Sequence, residues 1–321
     1  MSTLPKYSVV IPVYNRPEEL EELLQSLTEQ TTKDFEVIVV EDGSQRTAES
    51  VYEKYSSSLS IHYFFKPNTG PGPSRNFGFE KARGSYFVVF DSDCILPPDY
   101  FKAVDAVLAE NPLDAWGGPD KGHEKFTPLQ QAMGYTMSSV LTTGGIRGGK
   151  NQAAHFQPRS FNMGIRRKVF EVTGGFAFDR LAEDIELSIR MKKAGFKVGL
   201  IPEAFVYHKR RTSLGQFFRQ VQGFGAGRVR VGKVHPSTVK LTHWFPSFFL
   251  LGLLSIPINF FLSPLLASWE MLLLFLYLLA IFIGGYQSTR SFQVAALCIP
   301  SALVQLTGYG LGFLKGKFRK N

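Results

Sequence analysis

Between residues 244 and 289 the chain carries one charged side chain, Glu270. A globular fold in water cannot use so long an uncharged apolar run, so this part of the chain is read as membrane-embedded. Three apolar stretches, residues 244–266, 269–286 and 294–314, come near the ~20 residues needed to cross about 30 Å of hydrocarbon. The first holds Pro257 and Pro264 and the second is short, so two to three spans are expected. Positive charge is retained on the cytoplasmic side. The basic segment before Trp244 and the tail Lys315, Lys317, Arg319 and Lys320 therefore favour the same side. Three spans would separate them; two spans with one interfacial stretch would not.

Ahead of Trp244 the chain reads as an ordinary soluble domain, with 31 basic and 26 acidic residues. An overall composition of 44% apolar and 20% charged residues excludes disorder, a collagen-like repeat and a coiled coil. Cys94 and Cys298 are the only cysteines, which excludes a disulfide scaffold and a cysteine zinc cluster and suits a reducing compartment. The first thirteen residues lack the apolar core of a signal peptide.

Residues 204–243 contain no acid and eight basic residues: Lys209, Arg210, Arg211, Arg219, Arg228, Arg230, Lys233 and Lys240. Leu214, Phe217, Phe218, Val221 and Phe224 interleave with them at near-helical spacing. The segment reads either as an amphipathic helix on anionic membrane lipid or as a solvated basic face beside an anchor. Its place next to the hydrocarbon argues against nucleic acid. The expected domains are residues 1–210, catalytic; 211–243, a basic amphipathic membrane-proximal segment; and 244–321, a membrane anchor.

The soluble part alternates strand and helix. Apolar runs at residues 8–13, 35–40, 60–65 and 85–90 predict strands. Helices are predicted over 16–30, about 47–55 and 73–82. This order implies right-handed crossovers and a mostly parallel sheet with helices on both faces. Residues 120–157 are weakly patterned and read as a long loop or lid. Order returns at Phe161, followed by a helix near 183–194 and a strand over 197–201.

Ligands bind open parallel sheets at the carboxyl ends of the strands. Here the first strand ends in Tyr14-Asn15-Arg16, the second in Glu41-Asp42-Gly43-Ser44 and the fourth in Asp91-Ser92-Asp93. Carboxylates gathered on one edge are costly without cations or donors beside them. Asp91-x-Asp93 suits a hard divalent cation, Mg²⁺ or Mn²⁺. Asp42 can cap the next helix or recognise a nucleoside base. Arg75, in Gly70-Pro-Gly-Pro-Ser-Arg75-Asn-Phe-Gly78, is aimed at a ligand phosphate or paired structurally. The glycine spacing there is wrong for a dinucleotide fingerprint. Glu183-Asp184 opens a helix, where acids also serve the dipole.

Together the ordered set resembles family-two glycosyltransferases. It comprises residues 8–16, Glu41-Asp-Gly-Ser44, Asn68-x-Gly70 with Ser74-Arg-Asn-x-Gly78, Asp91-Ser-Asp93, Gly174-Gly-Phe176, and residues 182–187 with Arg190. The resemblance covers about residues 7–210. It implies a GT-A fold, a nucleotide-sugar donor (UDP- or GDP-sugar), a divalent cation and inversion at the anomeric carbon. It would place Pro12, Tyr14, Asn15, Asp42, Arg75 and Asp91 on the nucleotide sugar, and Asp93 on the metal with Asp91 and His208. Asp184 would be the general base, assisted by Glu183, and Gly174, Gly175 and Phe176 would lie on the acceptor side. Gln216-Phe-Phe-Arg219-Gln220 resembles the Gln-x-x-Arg-Trp signature of processive synthases but has Gln220 in place of Trp, so non-processive transfer is expected. The implied protein is a multi-pass membrane transferase of hexosyl or related groups, with its catalytic part in the cytoplasm. It would serve cell-surface glycan assembly on a glycan or polyprenyl-linked acceptor. The alternatives are a polyprenyl-phosphate sugar transferase and a non-catalytic scaffold of the same fold.

Overall fold

The computed structural model describes residues 4–122, 126–143 and 156–319. They form two compact units, one from residues 4–122 with 156–209 and the other from 126–143 with 210–319.

The first unit is built on a seven-stranded sheet. Its elements are β1 (Tyr7–Val13), α1 (Pro17–Thr28), β2 (Phe35–Asp42), α2 (Glu49–Tyr55), β3 (Ile61–Lys66), α3 (Pro71–Lys81), β4 (Tyr86–Phe90), β5 (Cys94–Ile95), α4 (Tyr100–Glu110), β6 (Ala115–Gly117) and β7 (Asp120–Lys121). After a segment belonging to the second unit come β8 (Asn162–Arg166), α7 (Arg167–Thr173), α8 (Glu183–Lys193), β9 (Val198–Leu200) and β10 (Val206–His208). The strand order is β3-β2-β1-β4-β8-β6-β9, parallel throughout except for β8, which runs against both neighbours. The expected mostly parallel sheet is therefore present.

The central strands are buried on both faces, which is why they read as unbroken apolar runs rather than alternating ones. In β2 every residue is buried, including the charged Glu36, Glu41 and Asp42. Helix α3 lies close against β1 because Gly78 has no side chain; a Cβ there would run into Val10. That approach sets the position of Arg75, one turn earlier.

A second, three-stranded sheet has the order β5-β10-β7. Its antiparallel pair sets His208 opposite Cys94, and hence beside Asp93. Helix α4 and strand β6 were not anticipated, although Tyr100, Phe101, Val104 and Leu108 bury one helical face of α4.

The second unit is helical: α5 (Pro128–Ser138), α6 (Val140–Thr143), α9 (Leu214–Val234), α10 (Phe245–Leu262), α11 (Pro264–Thr289) and α12 (Phe292–Phe318). The loop or lid expected over 120–157 is corrected in its described part. A strand and two helices lie there, and α5 starts on a capping box between Thr127 and Gln130. The glycine pairs Gly144-Gly145 and Gly148-Gly149 lie outside the described residues. The second apolar segment is not short: α11 has 26 residues, because Pro264 begins a new helix rather than kinking the previous one. Three helices, α10, α11 and α12, are long and apolar enough to cross a membrane. The basic segment is helical as its spacing predicts; Phe217, Val221 and Val229 are buried against protein, while Phe224 is exposed.

Candidate active site

The polar residues at the strand ends meet through two basic side chains. Arg75 on α3 is fully buried and forks between two carboxylates. Its Nη2 donates to Asp91 Oδ1 at 2.7 Å and its Nη1 to Glu183 Oε1 at 2.8 Å. The fork fits because a planar guanidinium offers parallel donors to separate carboxylates. Beneath it the Phe176 ring lies 5.2 Å from the guanidinium carbon. Burial pushes Glu183 up; Arg75 pulls part of that back and the adjacent Asp184 carboxylate adds to the rise, leaving Glu183 above the ordinary glutamate range.

Arg16, at the end of β1, holds Asp93 from the other side: its Nη1 donates to Asp93 Oδ2 at 2.7 Å. His208 Nε2 lies 3.1 Å from Asp93 Oδ1. Burial alone would raise the Asp93 pKa, but His208 and Arg16 outweigh it and hold the carboxyl far below the usual range. Asp93 is thus a buried carboxyl, 8% exposed, whose charged form is favoured by its two basic neighbours.

Asp184 joins the same rim through the segment before β8. Its Oδ2 faces Arg159 Nη1 at 3.7 Å and the Ser160 N–H at 3.4 Å. Phe161, the next residue, stacks on the His208 ring with centroids 4.7 Å apart. Asp184 and Asp93 therefore flank one short stretch, residues 159–161. In addition Asp184 Oδ1 accepts the Ile185 N–H at 2.7 Å. The helix bearing this pair begins after two non-glycine residues in the left-handed region, Leu181 (φ 60°) and Ala182 (φ 63°), so the turn that aims Glu183 and Asp184 is strained.

Other anticipated residues have local partners. Asp42 accepts from Lys66, from the Thr69 N–H and from the Gly70 N–H, the last two at 2.9 Å. Burial would raise it, but these donors keep it below the ordinary aspartate range. Asp42 thus shapes the turn at residues 68–70 that leads into α3. The Asn15 side chain accepts from the backbone of Gln45 and Arg46, fixing the loop after β2. Pro12 is half-buried and the Tyr14 ring is 52% exposed at the same sheet edge. Gly174 and Gly175 take φ values of 70° and 74°, and Asn76 clamps both backbone polar groups of Phe176. Phe176 itself is buried.

A divalent cation fits the residues present. The ligand atoms of Asp93, Cys94 and His208 all lie within 4.8 Å of one another. Carboxylate and imidazole suit Mn²⁺ or a similar ion. Burial pushes the Cys94 thiol pKa up, and a soft sulfur donor is poorly matched to a hard cation. Asp91 is held instead by Arg75. Arg16, Arg159 and Phe161 were the residues missed as organisers of the site. Arg16 lies within the patterned segment 8–16, while residues 159 and 160 carry no pattern and Phe161 reads only as the return of order.

Residues 8–174 match the family described as Glycosyl transferase family 2, and residues 130–315 match the one described as Glycosyl transferase family 21. The chain belongs to glycosyl transferase family 2. An "uncharacterized glycosyltransferase" of Rickettsia bellii is 41% identical over 88 residues, 27% of this chain and 13% of that protein. The chain spans only 13–18% of the length of the Rickettsia relatives it matches. Glycosyltransferase AglE of Haloferax volcanii is 23% identical over 272 residues, 80% of this chain and 84% of that one. Among solved structures, the mannosyltransferase PcManGT of Pyrobaculum calidifontis, in complex with GDP-Man and Mn²⁺, superposes with a TM-score of 0.61. That match covers 100% of this chain and 89% of the other at 17% identity, a likeness of fold.

Proposed function

We propose that the chain is a membrane-bound glycosyltransferase. It moves a sugar from a nucleotide-diphosphate donor to an acceptor hydroxyl, with inversion at the anomeric carbon. The observation that carries this reading is the gathering of Asp91, Asp93 and Glu183, from the end of β4 and the start of α8, around Arg75, Arg16 and His208, with Asp184 next to Glu183 and facing Arg159. Carboxylates gathered at a sheet edge, two of them buried, are costly and are characteristic of functional sites.

In the proposed reaction the acceptor oxygen bonds to the sugar C1 from one face while the bond from C1 to the diphosphate oxygen breaks on the other. Asp184 takes the acceptor proton as general base. Glu183, held by Arg75, orients the start of α8 and with it Asp184. Tyr14, Pro12, Asp42 and Asp91 line the nucleoside side. A divalent cation, when bound by Asp93 and His208, supplies positive charge to the leaving diphosphate. Gly174, Gly175 and Phe176 form the acceptor-side loop, with Phe176 as its buried anchor.

The acceptor is proposed to be a glycan or a polyprenyl-linked sugar, extended one unit at a time, since Gln220 stands where processive synthases carry Trp. The apolar helices hold the enzyme at a membrane bearing anionic lipid, with the catalytic unit in the cytoplasm, where cell-surface glycan precursors are built. A screen of nucleotide sugars with the detergent-purified protein tests the reading. Release of UDP or GDP should depend on added Mn²⁺ or Mg²⁺. No release from any donor, with or without metal, would leave the scaffold alternative standing.

A further inference from the structure

Helices α10 and α11 form an antiparallel hairpin. Phe249 and Tyr277 pair with ring centroids 5.6 Å apart, and Ser255 Oγ and Asn259 Nδ2 both donate to Glu270 Oε1 at 2.9 Å, nearer the turn. In this register Pro246 and Ser247 stand level with residues near 280. The hairpin's open end is thus the start of α10 and the last turns of α11.

Helix α12 touches both members of the hairpin at that open end. On the α11 side, Gly285 lies so close that a Cβ there would sit 2.8 Å from Cys298 Sγ and 3.4 Å from the Ala295 Cα. On the α10 side, Ser247 Oγ donates to the Gly310 carbonyl at 3.2 Å, and Trp244 packs on Phe313 at 4.9 Å. From Cys298 to Gly310 the helix advances about 18 Å at 1.5 Å per residue. A third span alongside the hairpin would carry Gly310 down to about the level of Leu253 and Leu273. It lies against the first turn of α10 instead. Helix α12 therefore runs across the hairpin's open end.

Charge gives an independent argument. The C-terminal half of α12 is pressed along α9 through glycines. A Cβ on Gly308 would meet Val221 at 2.6 Å, one on Gly312 would run into the Gln222 carbonyl, and one on Gly316 would meet Val229 at 3.2 Å. Both numberings rise together, so the two helices run side by side in the same direction. Wherever α12 goes, α9 goes with it, carrying Arg219, Arg228, Arg230 and Lys233. Cations at mid-bilayer are strongly disfavoured.

We infer that α12, despite a length and hydropathy sufficient for a span, lies in the plane of the membrane interface. Only α10 and α11 cross the bilayer. The layer of α9 and α12 then rests at headgroup depth, with its basic side chains toward anionic lipid. The segment before Trp244 and the tail after Phe318 lie on one side, which removes the conflict in the charge distribution. The inference does not depend on the proposed reaction.

Sidedness and depth test it. In sealed vesicles of the full chain, with Cys94 and Cys298 replaced by serine, single cysteines are introduced as Lys240→Cys, Ser263→Cys and Lys317→Cys. A membrane-impermeant maleimide should label Lys240→Cys and Lys317→Cys from the same side and Ser263→Cys from the opposite side. Labelling of Lys317→Cys together with Ser263→Cys would overturn the inference. Should those variants fold poorly, trypsin added to sealed vesicles of the unmodified chain reads the same geometry. Cleavage near Lys315–Lys317 should occur from the side that cuts near Lys209–Arg211, and cleavage only from the other side would overturn it. Spin labels at Ala296 and Leu303 should report equal depth. A Leu303 label about 10 Å deeper, the rise over seven residues of an upright helix, would contradict it.

Discussion

Replacing Arg75 by Met would leave Asp91 and Glu183, which now share its guanidinium at 2.7 and 2.8 Å, with no cation between them. Removing one partner of a buried ionic network is costly, because the remaining charge cannot recover its hydration. Arg75→Met should lower the unfolding free energy by about 3 kcal/mol, read by chemical denaturation in detergent. Adding Glu183→Leu should recover most of that loss, since Asp91 keeps a third of its side chain in solvent and can remain charged. Arg75 was legible in the sequence only as a cation near a phosphate or a structural partner. The choice between them rested on where α8 ends up, more than a hundred residues later. Asp42 is similar. Its place after a strand was plain, but its occupation by Lys66, Thr69 and Gly70 depends on how residues 66–70 fold back.

Glu36 offers a cleaner titration. It is buried in β2, accepting from Ser8 Oγ at 2.7 Å and from the Arg83 backbone and guanidinium at 2.7 and 2.8 Å. Burial would raise its pKa, but these donors win and hold it below the ordinary value of about 4.3. A carboxyl whose folded pKa is depressed stabilises the fold above the unfolded pKa and loses that contribution as pH falls through the folded one. Stability should therefore drop as pH falls below about 4.3, and Glu36→Gln should flatten that part of the profile. An unchanged acid limb in the variant would exclude Glu36 as its source.

At the scale of elements, glycine spacing does much of the positioning. Gly308, Gly312 and Gly316 repeat every four residues on α12 and let α9 approach at backbone distance, the small-residue packing common between membrane helices. A Cβ on Gly312 would strike the Gln222 carbonyl. Gly312→Leu should separate α9 from α12 and cost about 1–3 kcal/mol through overpacking, seen as earlier thermal unfolding in detergent. The same substitution at Gly252, where a Cβ meets nothing within 4 Å, should leave it unchanged. Strands buried on both faces announced themselves as apolar runs, and α9 by the near-helical spacing of Leu214, Phe217, Phe218, Val221 and Phe224. Helix α12 is long and apolar enough for a span, but hydropathy records only how apolar a helix is, and burial by neighbouring helices demands the same composition as burial in lipid. Helix α5 passed for loop because its sequence is mixed and its apolar residues meet partners from distant helices.

For the whole molecule, the order of motifs along residues 8–190 foretold the sheet edge and its carboxylates. Pairing of β5 with β10 supplied what no local pattern could, the delivery of His208 to Asp93 across 115 positions. Division of labour at that edge, with Asp93 on the donor and Asp184 on the acceptor, is the central claim. Donor affinity and turnover measured together on Asp184→Asn and Asp93→Ala test it most directly. Asp184→Asn should lower turnover by about 10²–10⁴-fold with the donor Kd nearly unchanged, while Asp93→Ala should lose metal-dependent donor binding. An Asp184→Asn variant that loses donor affinity in proportion to turnover would contradict the account.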